Sequence, residues 1–210
     1  MIAPLYAILD ADAAERAGWR LVDLASAYLR GGARFLQIRA KHAASRPLLE
    51  VASAIVELAH RASSVMIVND RADITKLSGA DGVHVGHEDL PPSAAMTIVG
   101  SGAIVGLSTH TPAQLQAALL EPVSYVAIGP VFPTATKAKG DEPVGVDMVR
   151  WAAALAREAG LPLVAIGGIT LETAPDVIRA GAASVAVITD LQTGGDPEAR
   201  VRAYVDRLTL

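Results

Sequence analysis

Tyr125-Val126-Ala127-Ile128 runs directly into Gly129-Pro130-Val131-Phe132-Pro133-Thr134-Ala135-Thr136-Lys137. The first four residues are a short apolar run and read as a buried strand. Gly129, Pro130 and Pro133 end that strand and hold the chain in a loop. The loop then presents two hydroxyls and an ammonium, Thr134, Thr136 and Lys137, with no apolar face left to bury. Hydroxyls donate to phosphate oxygens, and lysine meets phosphate as a compact charge. Taken alone, the same residues read first as a solvated surface loop. The recurrence of this unit, an apolar strand followed by polar residues, separates the two readings.

Working outward from it, short apolar runs alternate with longer amphipathic ones along the whole chain. The runs predict strands at 5–9, 35–38, 65–68, 82–85, 103–106, 125–128, 163–166 and 184–188, with helices near 17–30, 46–62, 72–78, 92–97, 112–120, 147–159, 171–180 and 197–208. Thr111-Pro112 and Asp196-Pro197 each place a capping residue before a proline at the first helical position. Gly160 and Gly181 stand where helix ends need a left-handed residue. Eight strand–helix pairs in 210 residues predict one (β/α)₈ TIM barrel spanning the chain, residues 1–210, of α/β class. A flavodoxin-like open sheet, which needs fewer units, is the structural alternative. A leucine-rich solenoid lacks its leucine and asparagine pattern here.

The bulk composition narrows the function. The chain is 51% hydrophobic but only 4% aromatic, which suits parallel strands covered on both faces by Ala-rich helices. A net charge of −4 without a basic block argues against nucleic acid as a partner. Any anion must therefore be held locally by a few placed groups. The absence of cysteine removes disulfides, thiolate metal sites and cysteine nucleophiles. There is no signal-like N-terminus, and no apolar stretch approaches the ~20 residues that cross a bilayer. The expectation is a soluble cytoplasmic protein acting on small molecules, away from membranes; a homo-oligomer is compatible with the sequence.

In a barrel, chemistry sits at the C-terminal ends of the strands, and the unusual polar residues of this chain fall there. Gln37, Arg39 and Lys41 alternate after strand 2, so an extended segment projects them in one direction. Asn69 and Asp70 follow strand 3. His84 lies in strand 4, with Asp89 after it. Ser108 follows strand 5, Gly167-Gly168 follows strand 7, and Thr189-Asp190 follows strand 8. Singly, each has a plainer reading: Arg39 and Lys41 as solvated charges, Asp70 as a helix-start carboxylate, His84 as a core histidine, Asp89 as a turn former, the glycines as relief of crowding. Their gathering on one rim favours a site.

The residue types then suggest the ligand. A Gly-Gly pair after strand 7 exposes backbone N–H groups where barrels commonly bind phosphate. Arg39, Lys41 and Lys137 add three cations, more than one monophosphate needs. Asp70 and Asp89 are hard oxygen donors on adjacent loops, and two carboxylates plus substrate phosphates are how Mg²⁺ is usually held. The combination points to a pyrophosphate with its metal and a second phosphorylated group nearby.

These residues carry a family resemblance. Gln37-Ile38-Arg39-Ala40-Lys41, Val68-Asn69-Asp70-Arg71, Gly82-Val83-His84-Val85-Gly86-His87-Glu88-Asp89-Leu90-Pro91, Gly106-Leu107-Ser108-Thr109-His110, residues 129–137 and Val164-Ala165-Ile166-Gly167-Gly168-Ile169 resemble, in order, the motifs of thiamine phosphate synthases. The resemblance runs from about residue 4 to residue 190. It implies a (β/α)₈ barrel that joins 4-amino-2-methylpyrimidine-5-methyl diphosphate to 4-methyl-5-(2-phosphoethyl)thiazole and releases pyrophosphate. It implies that Arg39, Lys41 and Asn69 contact the diphosphate, with Ser108 and Lys137 helping to neutralise it. Asp70 and Asp89 would hold Mg²⁺. Gln37 would face the aminopyrimidine with His84 beside it, and Thr134, Thr136, Gly168 and Thr189 would surround the thiazole phosphate. Asp190 departs from this pattern in one respect, since a carboxylate beside a phosphate site is unfavourable unless it points away. The rival within the same barrel is a thiazole tautomerase, which needs neither the diphosphate cations nor the metal carboxylates; the other is a non-catalytic phosphometabolite-binding barrel.

Overall fold

Every strand expected from the sequence forms, and each pairs in parallel with the next. The computed structural model describes residues 2–134 and 142–209. Its strands are β1 (Leu5–Asp10), β2 (Phe35–Arg39), β3 (Val65–Asn69), β4 (Gly82–Val85), β5 (Ile104–Thr109), β6 (Tyr125–Ile128), β7 (Leu163–Ile166) and β8 (Ser184–Val187). β8 returns to β1 with Leu5 opposite Val185, Tyr6 opposite Ala186 and Ala7 opposite Val187. The sheet is thereby a closed barrel in sequence order. Closure excludes the open flavodoxin-like sheet and leaves no edge strand unpaired.

Helices cover the outside: α1 (Ala11–Arg16), α2 (Leu21–Arg30), α3 (Ser45–Arg61), α4 (Ala72–Ser78), α5 (Pro92–Val99), α6 (Pro112–Ala118), α7 (Gly145–Glu158), α8 (Ala174–Arg179) and α9 (Pro197–Leu208). Because successive side chains on a strand point to opposite faces, closure divides each strand's apolar residues into two sets. Leu5, Ala7, Leu9, Leu36 and Ile38 point outward into the layer shared with Leu24, Ile55 and Val149. Tyr6, Ile8, Phe35, Ile67, Tyr125 and Val164 fill the inside.

The inner set plugs the lower half of the barrel. Phe35 and Tyr6 stack with ring centroids 3.8 Å apart, and Tyr125 meets Phe35 edge-on at 5.9 Å. The chain has only two Trp, four Tyr and two Phe, yet three of these rings pack here. All three stand near the starts of their strands. The far ends of the strands are consequently free to carry polar side chains above a sealed floor.

The structure corrects several boundaries. The helix expected over 17–30 begins only at Leu21, and a further helix, α1, to which the sequence reading assigned no element, precedes it, with Gly18 (φ 75°) between the two. α1 is only six residues long, too short to show a helical period, and is started by Asp10, whose carboxylate accepts from the Ala13 N–H at 2.9 Å. The strand expected to stop at residue 106 continues to Thr109. Its ladder to β6 extends through Ser108 opposite Ala127 and Thr109 opposite Ile128, so Ser108 belongs to β5 and not to the loop. Polar side chains at the barrel mouth break the apolar pattern without breaking the backbone ladder. A 3₁₀ turn, Thr189–Gln192, follows β8. The expected caps hold: Thr111 and Asp196 accept from the N–H groups of Gln114 and Ala199 at 3.2 Å and 3.0 Å.

Phe35→Ala removes a fully buried ring from the floor and is expected to cost ~3–5 kcal/mol. Leu120→Ala, at a position 90% exposed, is expected to stay within ~0.5 kcal/mol of the parent. Urea unfolding of both variants checks this; equal midpoints for the two would contradict the assignment of the inner aromatic floor.

Candidate active site

A cavity of about 820 Å³ opens above the aromatic floor, at the C-terminal ends of the strands. Each described candidate from the sequence lines it. Gln37 and Arg39 come from β2 and Lys41 from just beyond it; Asn69 ends β3 and Asp70 follows. His84 comes from β4 and Asp89 from the loop after it, and Ser108 from β5. Thr134, Gly168 and Thr189 come from the segments after β6, β7 and β8. Thr136 and Lys137 lie outside the described residues.

The cations are already matched by carboxylates, which composition alone does not reveal. Arg39 Nη1 donates to Asp10 Oδ2 in a close ion pair. Asp10 is 1% exposed, and its other oxygen caps α1, so one buried carboxylate both starts a helix and aims the guanidinium. Lys41 Nζ lies 3.5 Å from Asp70 Oδ2. Among the described residues, the positive surplus read from the sequence is therefore offset at the two places where it was expected.

Asp70 carries the clearest electrostatic signature. Its backbone stands at φ 62°, in the left-handed region, and its N–H donates to the His84 carbonyl at 2.8 Å. Few non-glycine residues hold such a conformation, and those that do concentrate at functional sites. Burial, and then the facing carboxylate of Asp89, push the Asp70 carboxyl up to about 6, while Lys41 pulls it back. Asp89 Oδ2 also accepts from the Gly86 N–H at 2.8 Å, which holds it toward the cavity. Two partly buried carboxylates facing each other are relieved by a proton or by a hard cation. Asp70 and Asp89 are thus the residues suited to a divalent ion. No group of three or more potential ligands occurs among the described residues, so substrate oxygens and water would complete the shell.

Deeper in the cavity a line of hydrogen bonds crosses the barrel. Gln37 Nε2 donates to the Tyr6 hydroxyl at 2.8 Å, and the Tyr6 and Tyr125 hydroxyls meet at 3.0 Å. The Tyr125 hydroxyl reaches His84 Nδ1, and His84 Nε2 reaches Ser108 Oγ, each at 2.8 Å.

At the opposite side, Gly167 and Gly168 adopt φ 102° and 64°. A Cβ on Gly167 would lie 2.5 Å from Pro130 Cα, and one on Gly168 would lie 2.5 Å from the Pro133 carbonyl oxygen. The crowding anticipated for these glycines is real, and it is with the loop after β6. The backbone bonds Val131 N–H to Ile166 O (2.9 Å) and Phe132 N–H to Gly167 O (3.0 Å) tie the two loops together. Asp190 lines the cavity, but its charge is answered within the protein. Arg200 Nη2 donates to both its oxygens at 2.8 Å and 3.0 Å, and the Tyr204 hydroxyl donates to it at 2.5 Å. The concern raised by this carboxylate is met by an ion pair from α9.

Sequence reasoning missed Asp10, Arg16, Tyr6 and Tyr125. The strand predicted at 5–9 stopped one residue short of Asp10, and Arg16, which also lines the cavity, lay in the segment 10–16 to which no element was assigned. The available signal was Asp10 itself, a cap residue followed by Ala-rich sequence. The tyrosines read as core, and only their hydroxyl partners show otherwise.

Fold and cavity define a (β/α)₈ barrel with a polar mouth, the end at which enzymes of this architecture carry their active sites. The thiamine monophosphate synthase family model matches residues 5–191, and the chain belongs to that family. It is 43% identical to the thiamine-phosphate synthase of Koribacter versatilis over 97% of this chain and 95% of that protein. It is 41% identical to the thiamine-phosphate synthase of Chlorobium luteolum over 88% and 85% of the two chains. Among solved structures, the thiamine phosphate pyrophosphorylase of Pyrococcus furiosus superposes with a TM-score of 0.87 at 26% identity, covering 99% of this chain and 98% of that one. Phosphoribosyl anthranilate isomerase of Thermus thermophilus, at 17% identity and a TM-score of 0.62 over 97% of both chains, shares the fold alone.

The Asp70 shift has a consequence for stability. The folded protein holds this proton more tightly than the unfolded chain, so stability falls as pH rises from the ordinary value of 3.8 to about 6 and stays lowered above it. Asp70→Asn removes that cost and retains a residue tolerant of positive φ. Discounted for solvent reaching the site, the expected gain in metal-free buffer near neutral pH is about 1 kcal/mol, a Tm rise of ~2–4 °C, fading at acid pH. Scanning calorimetry across pH checks it; an Asn variant less stable than the parent at neutral pH would refute the repulsion.

Proposed function

We propose that the protein is a thiamine phosphate synthase: it joins 4-amino-2-methylpyrimidine-5-methyl diphosphate to 4-methyl-5-(2-phosphoethyl)thiazole, giving thiamine phosphate and pyrophosphate. The observation that carries the reading is the facing pair Asp70 and Asp89 beside Arg39 and Lys41, in a barrel of this family. A tautomerase needs no such pair, and the named relatives at 41% and 43% identity are synthases.

Asp70 and Asp89 would hold Mg²⁺, which supplies positive charge against the diphosphate oxygens when bound. Lys41, 3.5 Å from Asp70, is placed to reach a substrate oxygen as well. Arg39, Lys41, Asn69, Ser108 and Lys137 bind the diphosphate. Arg39 is pre-aimed by Asp10, so its placement costs little reorganisation during reaction. Gln37 faces the aminopyrimidine, with His84 beside it. Thr134, Thr136, Gly168 and Thr189 surround the thiazole phosphate.

The bond from the pyrimidine methylene to oxygen breaks with its electron pair leaving on pyrophosphate. The thiazole nitrogen lone pair then forms the new carbon–nitrogen bond to the pyrimidine methyl cation. No protein nucleophile is required, in keeping with a chain that has no cysteine. The protein's work is to stabilise the leaving group and to hold two reactants together. No helix among the described residues is long and apolar enough to cross a membrane, and charged phosphorylated substrates suit a cytoplasmic enzyme.

Pyrophosphate release on mixing both substrates, with Mg²⁺ and then with EDTA, tests the proposal. Release that needs both substrates and the metal, with thiamine phosphate as product, is expected. Asp70→Ala and Lys137→Ala are each expected to lower turnover on the order of 100-fold or more, with unfolding midpoints near the parent's. Near-parent turnover in both purified variants would defeat the site assignment.

A further inference from the structure

Gln37, Tyr6, Tyr125, His84 and Ser108 form one continuous chain of hydrogen bonds from β2 to β5, through β1, β6 and β4. Two of its members, the tyrosines, belong to none of the roles above. Tyr6 is 1% exposed and Tyr125 is fully buried. Burial pushes both phenols well above their ordinary range, so each keeps one O–H to donate.

Those facts give the chain a direction. The Gln37 amide nitrogen can only donate, so the Tyr6 oxygen accepts from it. The Tyr6 proton then goes to its other partner, the Tyr125 oxygen. Tyr125 cannot donate back without leaving two hydrogens opposed in a buried contact, which costs the desolvation of an unmade bond. Its proton goes to His84 Nδ1. A neutral imidazole that accepts at Nδ1 carries its hydrogen on Nε2, which faces Ser108 Oγ.

We propose that Tyr6 and Tyr125 are positioning residues that hold His84 as the Nε2–H tautomer and thereby turn the Ser108 O–H into the cavity as a donor. At the far end, the same polarity leaves Gln37 Oε1 as an acceptor. The chain thus presents an acceptor suited to an exocyclic amino group and a donor suited to an anionic oxygen. That use of its two ends rests on the proposed function.

Gly106 supplies independent support. It stands opposite His84 on β4 and opposite Tyr125 on β6. A Cβ there would lie 2.1 Å from Tyr125 Cζ, 2.4 Å from its hydroxyl oxygen and 2.6 Å from His84 Nδ1. Glycine inside a strand is ordinarily unfavourable; here its missing side chain is the space in which the tyrosine–histidine bond forms. The His84 and Tyr125 rings close over it nearly parallel, 5.5 Å apart.

Nitrogen-15 NMR of histidine-labelled protein, with His84 assigned from its loss in His84→Gln, reads the tautomer without reference to activity. The expected result near neutral pH is a hydrogen on Nε2 and none on Nδ1. In Tyr125→Phe, the tautomer bias is expected to disappear. With both substrates and Mg²⁺, kcat should fall on the order of 10- to 100-fold, while KM for the thiazole phosphate stays within about twofold. Tyr28→Phe, which removes another buried phenol on α2, should change neither readout. A hydrogen on Nδ1 in the parent protein, or an unchanged kcat in Tyr125→Phe, would overturn the proposal. If the parent does not couple the two substrates, the functional reading fails separately, and the tautomer alone still decides the direction of the chain.

Discussion

The pairing of β8 with β1 is the constraint on which the rest depends. Until that ladder closes, the alternating residues of the strands have two equivalent faces; once it closes, one face becomes the inside of a barrel. The inside then has room for few large side chains, and Tyr6, Phe35 and Tyr125 occupy its lower part. Because they seal the floor, the cavity above can be polar without opening a channel through the protein. The barrel mouth is thus where desolvation is partial, charge interactions are strengthened and substrates can still enter.

Within that mouth, an acidic protein prepares to meet anions by pairing its cations first. Arg39 is held by a carboxylate that also caps α1, and Lys41 faces a carboxylate that itself faces Asp89. Asp190 is answered by Arg200 from the last helix. The unrelieved term is the Asp70–Asp89 repulsion, concentrated at a residue whose backbone is also strained. Local instability of this kind is retained at sites where a ligand removes it, which is the usual form of the compromise between stability and function.

Much of the fold was legible because it rests on period and punctuation. Short apolar runs identified eight strands, and proline after Thr111 and Asp196 located two helix starts. What escaped had specific causes. α1 is too short to show a helical period. β5 looked finished at Gly106 because Ser108 and Thr109 are polar, although the backbone ladder does not depend on side-chain polarity. Asp10 was passed over because its partner, Arg39, lies in another strand, and nothing local announces the pair.

The sequence by itself determined the alternation of strands and helices, the residue types at each strand end, and hence the class of ligand the rim can hold. These follow from local propensity and from the rule that strand ends in a barrel share one mouth. Only the tertiary structure decided which of those residues meet: that Arg39 is committed to Asp10, that Asp70 faces Asp89, and that Tyr6 bonds to Tyr125 across 119 residues of chain. The last of these depends on closure of the sheet and on the absence of a side chain at Gly106, and a hydrogen bond formed across distant strands leaves no periodic mark in the chain that makes it.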